Sequence, residues 1–118
     1  MLRDELEAVL PPLYSQEALG EEAIVQVHLF NPCGIGDWWI TEGSAEGYDF
    51  IMFGLCDLGF PELGYVSLLE MLRAVQCPWD VTIERDLHWT PKTLREVRAD
   101  IAAGGTARKG CQCYPGAE

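Results

Sequence analysis

The sequence predicts an α+β domain: an antiparallel sheet of three to five strands with two or three short helices packed on it. Three observations predict it. Between Ala23 and Leu55, three apolar runs of strand length are separated by connections too short for a crossover helix. Downstream, Ser67 and Thr90 open segments that carry helix-start signals and then helical apolar spacing. Finally, 48 % of the 118 residues are hydrophobic and 10 % aromatic, which supplies one core for one domain.

The elements follow in order. Leu2, Leu6, Val9 and Leu10 recur at helical spacing, and Pro11-Pro12 end that helix. Ser15 to Gly20 reads as one helical turn closed by glycine. Ala23 to Phe30 is the first strand, with Ala23, Val25, Val27 and Leu29 on one face and Gln26 and His28 on the other. Asn31 to Gly36 is a turn by its Asn-Pro and glycines. Trp38 to Thr41 is strand two, Gly43 to Gly47 a loop, and Tyr48 to Leu55 strand three. Strand three is apolar on both faces, as a central strand covered on both sides must be.

Gly59 to Gly64 reads as a turn-rich link, followed by a short edge strand at Tyr65-Val66. Ser67-Leu68-Leu69-Glu70 is a capping box for a helix to about Val75, which Cys77-Pro78-Trp79 breaks. Val81-Thr82-Ile83 forms another short strand. Thr90-Pro91 starts the last helix, which runs to Ala103 with Leu94, Val97 and Ile101 inward, and Gly104-Gly105 stop it. The domain is therefore expected over residues 1–105, with a flexible tail at 106–118.

Charge is distributed unevenly. The net charge is −11, from 19 acidic and 8 basic residues. From Asp4 to Leu72 there is no Lys or Arg, so these carboxylates must be solvated, paired with the C-terminal third, or presented to a partner. Direct nucleic-acid binding is disfavoured, because phosphate contact needs Lys or Arg. No apolar stretch approaches the ~20 residues of a membrane span, and the charged start Arg3-Asp4-Glu5 does not resemble a signal peptide. A cytoplasmic protein is expected. The five cysteines, an odd count, do not suggest a disulfide framework; Cys33, Cys56 and Cys77 are expected as buried free thiols.

Four segments carry a family resemblance: Leu10-Pro11-Pro12-Leu13-Tyr14-Ser15-Gln16-Glu17, Trp38-Trp39-Ile40-Thr41-Glu42, the run from Phe53 to Ser67 containing Pro61-Glu62-Leu63-Gly64-Tyr65, and Ile83-Glu84-Arg85-Asp86-Leu87-His88-Trp89-Thr90-Pro91. Together they resemble the bacterial family of domain of unknown function 2958, from about Leu10 to Thr93. The chain departs from that family's pattern at the Cys33-Gly34 turn and in its cysteine-containing tail. The resemblance implies a small cytoplasmic protein of plasmids, phages and conjugative elements, encoded among anti-restriction and plasmid-maintenance genes. It implies no catalytic residues.

Three functional classes are weighed on these residues. The first is a non-enzymatic inhibitor that occupies the basic cleft of a host nucleic-acid-processing complex, a defence nuclease or CRISPR effector, by charge mimicry. Duplex DNA carries one charge per about 1.7 Å, so the twelve net negative charges of residues 1–72, thirteen acids less Arg3, match about 20 Å of duplex if the acids share a face. The acids expected at strand ends and loops are Glu21, Glu22, Asp37, Glu42, Glu46, Asp49, Asp57 and Glu62. The second class is an adaptor with an apolar patch at Trp38 or Trp39, adjacent indoles that a strand sends to opposite faces; core packing of both is the plainer alternative.

The third class is a small hydrolase. Asp86 and His88 at i, i+2 share a strand face, but no nucleophile accompanies them. Cys111 and Cys113 with a histidine make only a weak zinc pattern. Arg85, and Lys92, Arg95 and Arg98 on the last helix, are expected to pair with the N-terminal acids. A non-enzymatic monomer or weak dimer without cofactor or metal, inhibiting by mimicry, is the expectation these patterns favour.

Overall fold

A computed structural model describes residues 2–75 and 82–104. Its elements are α1 (Leu2–Val9), a 3-10 helix (Glu17–Glu22), β1 (Ile24–Val25), β2 (Val27–Phe30), β3 (Asp37–Glu46), β4 (Asp49–Asp57), β5 (Pro61–Ser67), α2 (Leu68–Ala74), β6 (Glu84–Arg85), β7 (Lys92–Thr93) and α3 (Leu94–Ala102). The fold is α+β: a five-stranded antiparallel sheet in the order β5-β4-β3-β2-β6, and a two-stranded sheet of β1 and β7.

The large sheet is covered on both faces. On one, Val27, Leu29, Trp38, Ile40, Phe50 and Met52 pack with Leu6 of α1 and Leu68 and Met71 of α2. On the other, Trp39 and Leu55 pack with Ala23, Val25 of β1 and Leu94 and Val97 of α3. Two-sided coverage explains why β4 is apolar throughout. It also buries both adjacent indoles, Trp38 at 4 % and Trp39 at 0 % exposure. Core packing, the plainer reading of the pair, therefore accounts for both, and neither indole is an outward anchor.

Strand one is corrected in detail. The alternation through Ala23–Phe30 breaks at Gln26, whose N–H donates to Ile40 O at 2.9 Å. Ala23 and Val25 consequently join the α3-side cluster, whereas Val27 and Leu29 join the other. The expected loop at Gly43–Gly47 is mostly strand: Gly43, Ser44, Ala45 and Glu46 pair with Met52, Ile51, Phe50 and Asp49. Only Gly47 and Tyr48 form the turn, with Gly47 at the positive φ (61°) that two-residue hairpin turns use. The link expected at Gly59–Gly64 is likewise half strand, because Pro61–Ser67 forms the edge β5 in register with β4. The late strand lies at Glu84–Arg85 rather than at Val81–Ile83, and pairs with β2; Val81 is outside the described residues. So are the break at Cys77-Pro78-Trp79 and the tail at 106–118.

The caps appear where the residue types place them. Ser67 Oγ accepts from Glu70 N at 3.1 Å at the start of α2. The last helix begins later than Thr90-Pro91 suggests, at Leu94, with a full capping box between Thr93 and Glu96. Cys56 is a half-buried free thiol, which burial and the nearby Glu62 push up to about 11. Cys33 is corrected: it is half-buried in the surface turn and disulfide-bonded, not a core thiol.

Candidate functional site

Strand β3 carries a bulge. Ile40 pairs with Gly54 and Glu42 with the adjacent Phe53, leaving Thr41 as the extra residue. Without it, Glu42 would share a face with Ile40 and enter the apolar core. With it, Glu42 turns to the face of Phe53 and of Tyr65, its cross-strand neighbour on β5. The bulge is held on both sides. Thr41 Oγ1 donates to Phe53 O at 3.1 Å. Gln16 Nε2 donates to Thr41 O at 2.7 Å and to Ile24 O at 3.0 Å, while its Oε1 accepts from Ile24 N at 2.7 Å. The buried Gln16 amide thereby ties the segment before the 3-10 helix to β1 and to the bulge.

Beside Glu42 a cavity of about 240 Å³ opens, with Leu94 at the start of α3 in its lining. Tyr14, Phe53 and Tyr65 line it, with Leu63, Thr41 and Glu42. The Tyr14 and Tyr65 ring centroids are 6.3 Å apart, and those of Phe53 and Tyr65 are 4.9 Å apart. Tyr14 is 61 % and Tyr65 55 % exposed, whereas Glu42 is only 3 % exposed. Glu42 Oε2 is buried with no hydrogen-bond partner. Glu17 and Glu21 complete an acidic rim, and among the described residues no Lys or Arg lines the cavity. Loss of solvation first, then the proximity of Tyr14, Glu17 and Glu42, holds the Tyr65 hydroxyl above its ordinary pKa. Tyr14 itself sits at φ 73°, a left-handed conformation uncommon outside glycine.

A second polar cluster lies within the same face of the sheet. His28 is fully buried. Its Nε2 meets Asp37 Oδ1 at 2.8 Å and its Nδ1 meets Asp86 Oδ2 at 3.1 Å. The imidazole thus bridges two carboxyl groups, one at each ring nitrogen. The acid–imidazole pair of Asp86 is therefore with His28, not with His88. His88 is exposed, and its backbone N–H donates to Asp86 Oδ1 at 3.0 Å. Asp86 lies 58 residues from His28, so local spacing carried no signal for this contact.

The acids expected to form an array are dispersed among different roles. Asp37, Glu42 and Asp57 are buried. Asp57 Oδ1 accepts from Gly59 N at 3.0 Å in the β4–β5 turn. Asp49 accepts from Ser67 Oγ, from Leu69 N at 3.1 Å and from Phe50 N at 2.7 Å, fastening the start of α2 to β4. Glu21 pairs with Arg98 at 2.7 Å and Glu22 with Arg95 at 2.6 Å. Arg85 pairs with Glu5 at 3.2 Å, and Lys92 with Asp100. Glu46 and Glu62 are exposed at opposite ends of the β3–β4–β5 meander.

These features define a small α+β protein whose sheet buries an Asp–His–Asp cluster and opens an aromatic-walled, acidic cavity at one edge. By sequence, the chain belongs to the family described as protein of unknown function (DUF2958), whose family model matches residues 2–106. Comparisons with curated proteins and with solved structures found no match. Among the described residues, no helix is long and apolar enough to cross a membrane.

Proposed function

We propose that this is a non-enzymatic binding protein that engages a basic protein partner through the surface around Tyr14, Leu63 and Tyr65. The observation that carries this reading is the grouping of exposed aromatic and apolar side chains around a cavity whose floor is a buried carboxylate. Exposed aromatic side chains beside a pocket are the usual anchors of protein interfaces, and the net charge of −11 steers a cationic surface toward them. The apolar patch of an adaptor thus lies at Tyr14 and Tyr65 rather than at the tryptophans. His28, whose ring nitrogens both face carboxyl groups, is committed to structure rather than to proton transfer.

Occupation of a nucleic-acid cleft by charge mimicry, in a host defence nuclease or CRISPR effector, is the second reading. The net charge and the base-free stretch favour it. The burial or internal pairing of six of its eight acids leaves it less geometric support. Affinity capture from a lysate expressing defence systems, eluted with a salt gradient, tests the two. A partner bound by the aromatic surface stays through high salt and is lost on Tyr65→Ser. A partner bound by charge alone elutes at moderate salt and is indifferent to that change. Recovery of no basic partner with the wild-type protein contradicts both.

A further inference from the structure

We infer that the cavity below Tyr14 and Tyr65 is a binding site for an organic ammonium group, with Glu42 as its counter-charge. The inference deepens the proposed binding function, on which it rests for its macromolecular source of the ligand. It begins with the unpartnered oxygen. A carboxylate oxygen withdrawn from water without a hydrogen bond is costly, and buried polar atoms are satisfied in nearly all native structures. Glu42 Oε2 has no donor within the described chain, yet the bulge at Thr41 and the Gln16 amide hold Glu42 in that position. The missing donor comes from outside.

The walls specify the donor's chemistry. Tyr14, Phe53 and Tyr65 present π-systems, which attract a cation over their faces. The rim is acidic, and Arg98 pairs with Glu21. A hard metal ion fits poorly, since it requires six to eight oxygen ligands. Here Gln16 is already committed to backbone groups. A guanidinium prefers both oxygens of a carboxylate in a fork, whereas one buried oxygen suits a point donor. The volume, about 240 Å³, is below the roughly 300–1,000 Å³ of sites for drug-sized ligands, and takes one side chain or a small amine. The left-handed backbone of Tyr14 fixes one wall at an energetic cost that its packing does not explain, since the side chain is 61 % exposed.

The ammonium group has two sources, a lysine side chain on a partner or a free small amine. The test is an amide NMR titration of the full chain with propylammonium, against tetramethylammonium, which has no N–H to donate, and against sodium chloride, all at equal ionic strength. A lysine-rich peptide forms a separate arm. Saturable shifts at Glu42, Phe53 and Tyr65 with propylammonium, larger than with tetramethylammonium, are expected. Glu42→Gln should weaken that binding at least about tenfold, the value of a lost charged hydrogen bond, without lowering the thermal midpoint. Tyr14→Gly relieves the backbone and should weaken binding while the chain stays folded. A Glu42 with a purely structural role would instead lower the midpoint on substitution.

Shifts no larger than those from sodium chloride, or equal affinity in Glu42→Gln, overturn the site. If the peptide binds elsewhere while ammonium probes do not bind, the site fails and the broader binding function stands. If ammonium binds and neither the peptide nor any basic partner does, the site stands with a free amine as ligand and the protein-binding function fails.

Discussion

His28 and Trp39 stack nearly face to face, with ring centroids 5.0 Å apart and planes 6° from parallel. They are cross-strand neighbours on β2 and β3. The indole closes the imidazole from solvent, and Trp89 and Phe30 close it further, at 5.5 and 6.0 Å. Asp37 from β3 and Asp86 from the segment after β6 then meet its two ring nitrogens. The cluster joins three separate parts of the chain, so its worth lies in fixing β6 and the following turn against the sheet.

Removing the imidazole leaves two buried carboxyl groups facing each other. His28→Leu should cost at least about 3 kcal/mol, as breaking a buried charge pair does. Urea denaturation followed by tryptophan fluorescence measures this directly, and a loss below about 1 kcal/mol would refute a structural role for the cluster.

Gly54 sits opposite Ile40 beside the bulge, and a Cβ built on it would lie 2.1 Å from Trp39 O and 2.8 Å from Ile40 Cα. The obstacle is backbone, so no side-chain movement relieves it. Gly54→Ala should destabilise the protein by about 3 kcal/mol or more, at the upper end of overpacking costs. Gly64, its partner on β5, has open space at the same position. Gly64→Ala should stay within about 0.5 kcal/mol of wild type. Equal effects of the two in thermal denaturation would contradict the close strand approach.

The pH dependence of α2 docking follows from Asp49. The Ser67 hydroxyl first, with backbone donors from Leu69 and Phe50, holds its carboxyl below the ordinary value of 3.8, against the opposing effect of burial. A depressed folded-state value means the stabilisation is fully present above pH 3.8 and is lost as pH falls through the lower folded-state value. Asp49→Asn should remove that acid-dependent component. It should also cost about 1–2 kcal/mol at neutral pH, the scale of a lost helix cap. Stability curves of both proteins between neutral and strongly acidic pH check it; parallel curves would rule Asp49 out.

Much of the architecture was legible in local patterns. The two-sided apolarity of Phe50–Leu55 marks β4 as a covered interior strand, although β3 is the middle one and Tyr48 is an exposed turn residue. Ser67 with Glu70, and Leu94 with Val97, mark the two downstream helices. Pairing of Arg85, Arg95 and Arg98 with Glu5, Glu22 and Glu21 also followed from a segment that lacks cations of its own, whereas Lys92, on β7 rather than the last helix, pairs with Asp100.

What escaped was set by register and by distant contacts. Period-two reading places Glu42 with Ile40, and only the inserted Thr41 reverses that parity. Pro61 and Gly64 read as turn residues, but an edge strand tolerates both because one side of its backbone needs no partner. Asp86 reads as a partner for His88 by proximity, while its imidazole is brought from β2 by the fold. The acids looked interchangeable in the sequence; burial separates Asp37, Glu42 and Asp57 from Glu46 and Glu62.

That separation lets one measurement decide whether partner binding runs through the cavity or through surface charge. Glu42→Gln and the double change Glu46→Gln/Glu62→Gln alter the charge at buried and exposed positions respectively. The measurement is the dissociation constant of each for the captured basic partner at fixed salt. Binding through the cavity gives at least about a tenfold loss for Glu42→Gln and little change for the double variant. Unchanged affinity in Glu42→Gln with a marked loss in the double variant would contradict it, and would place binding on the charged surface.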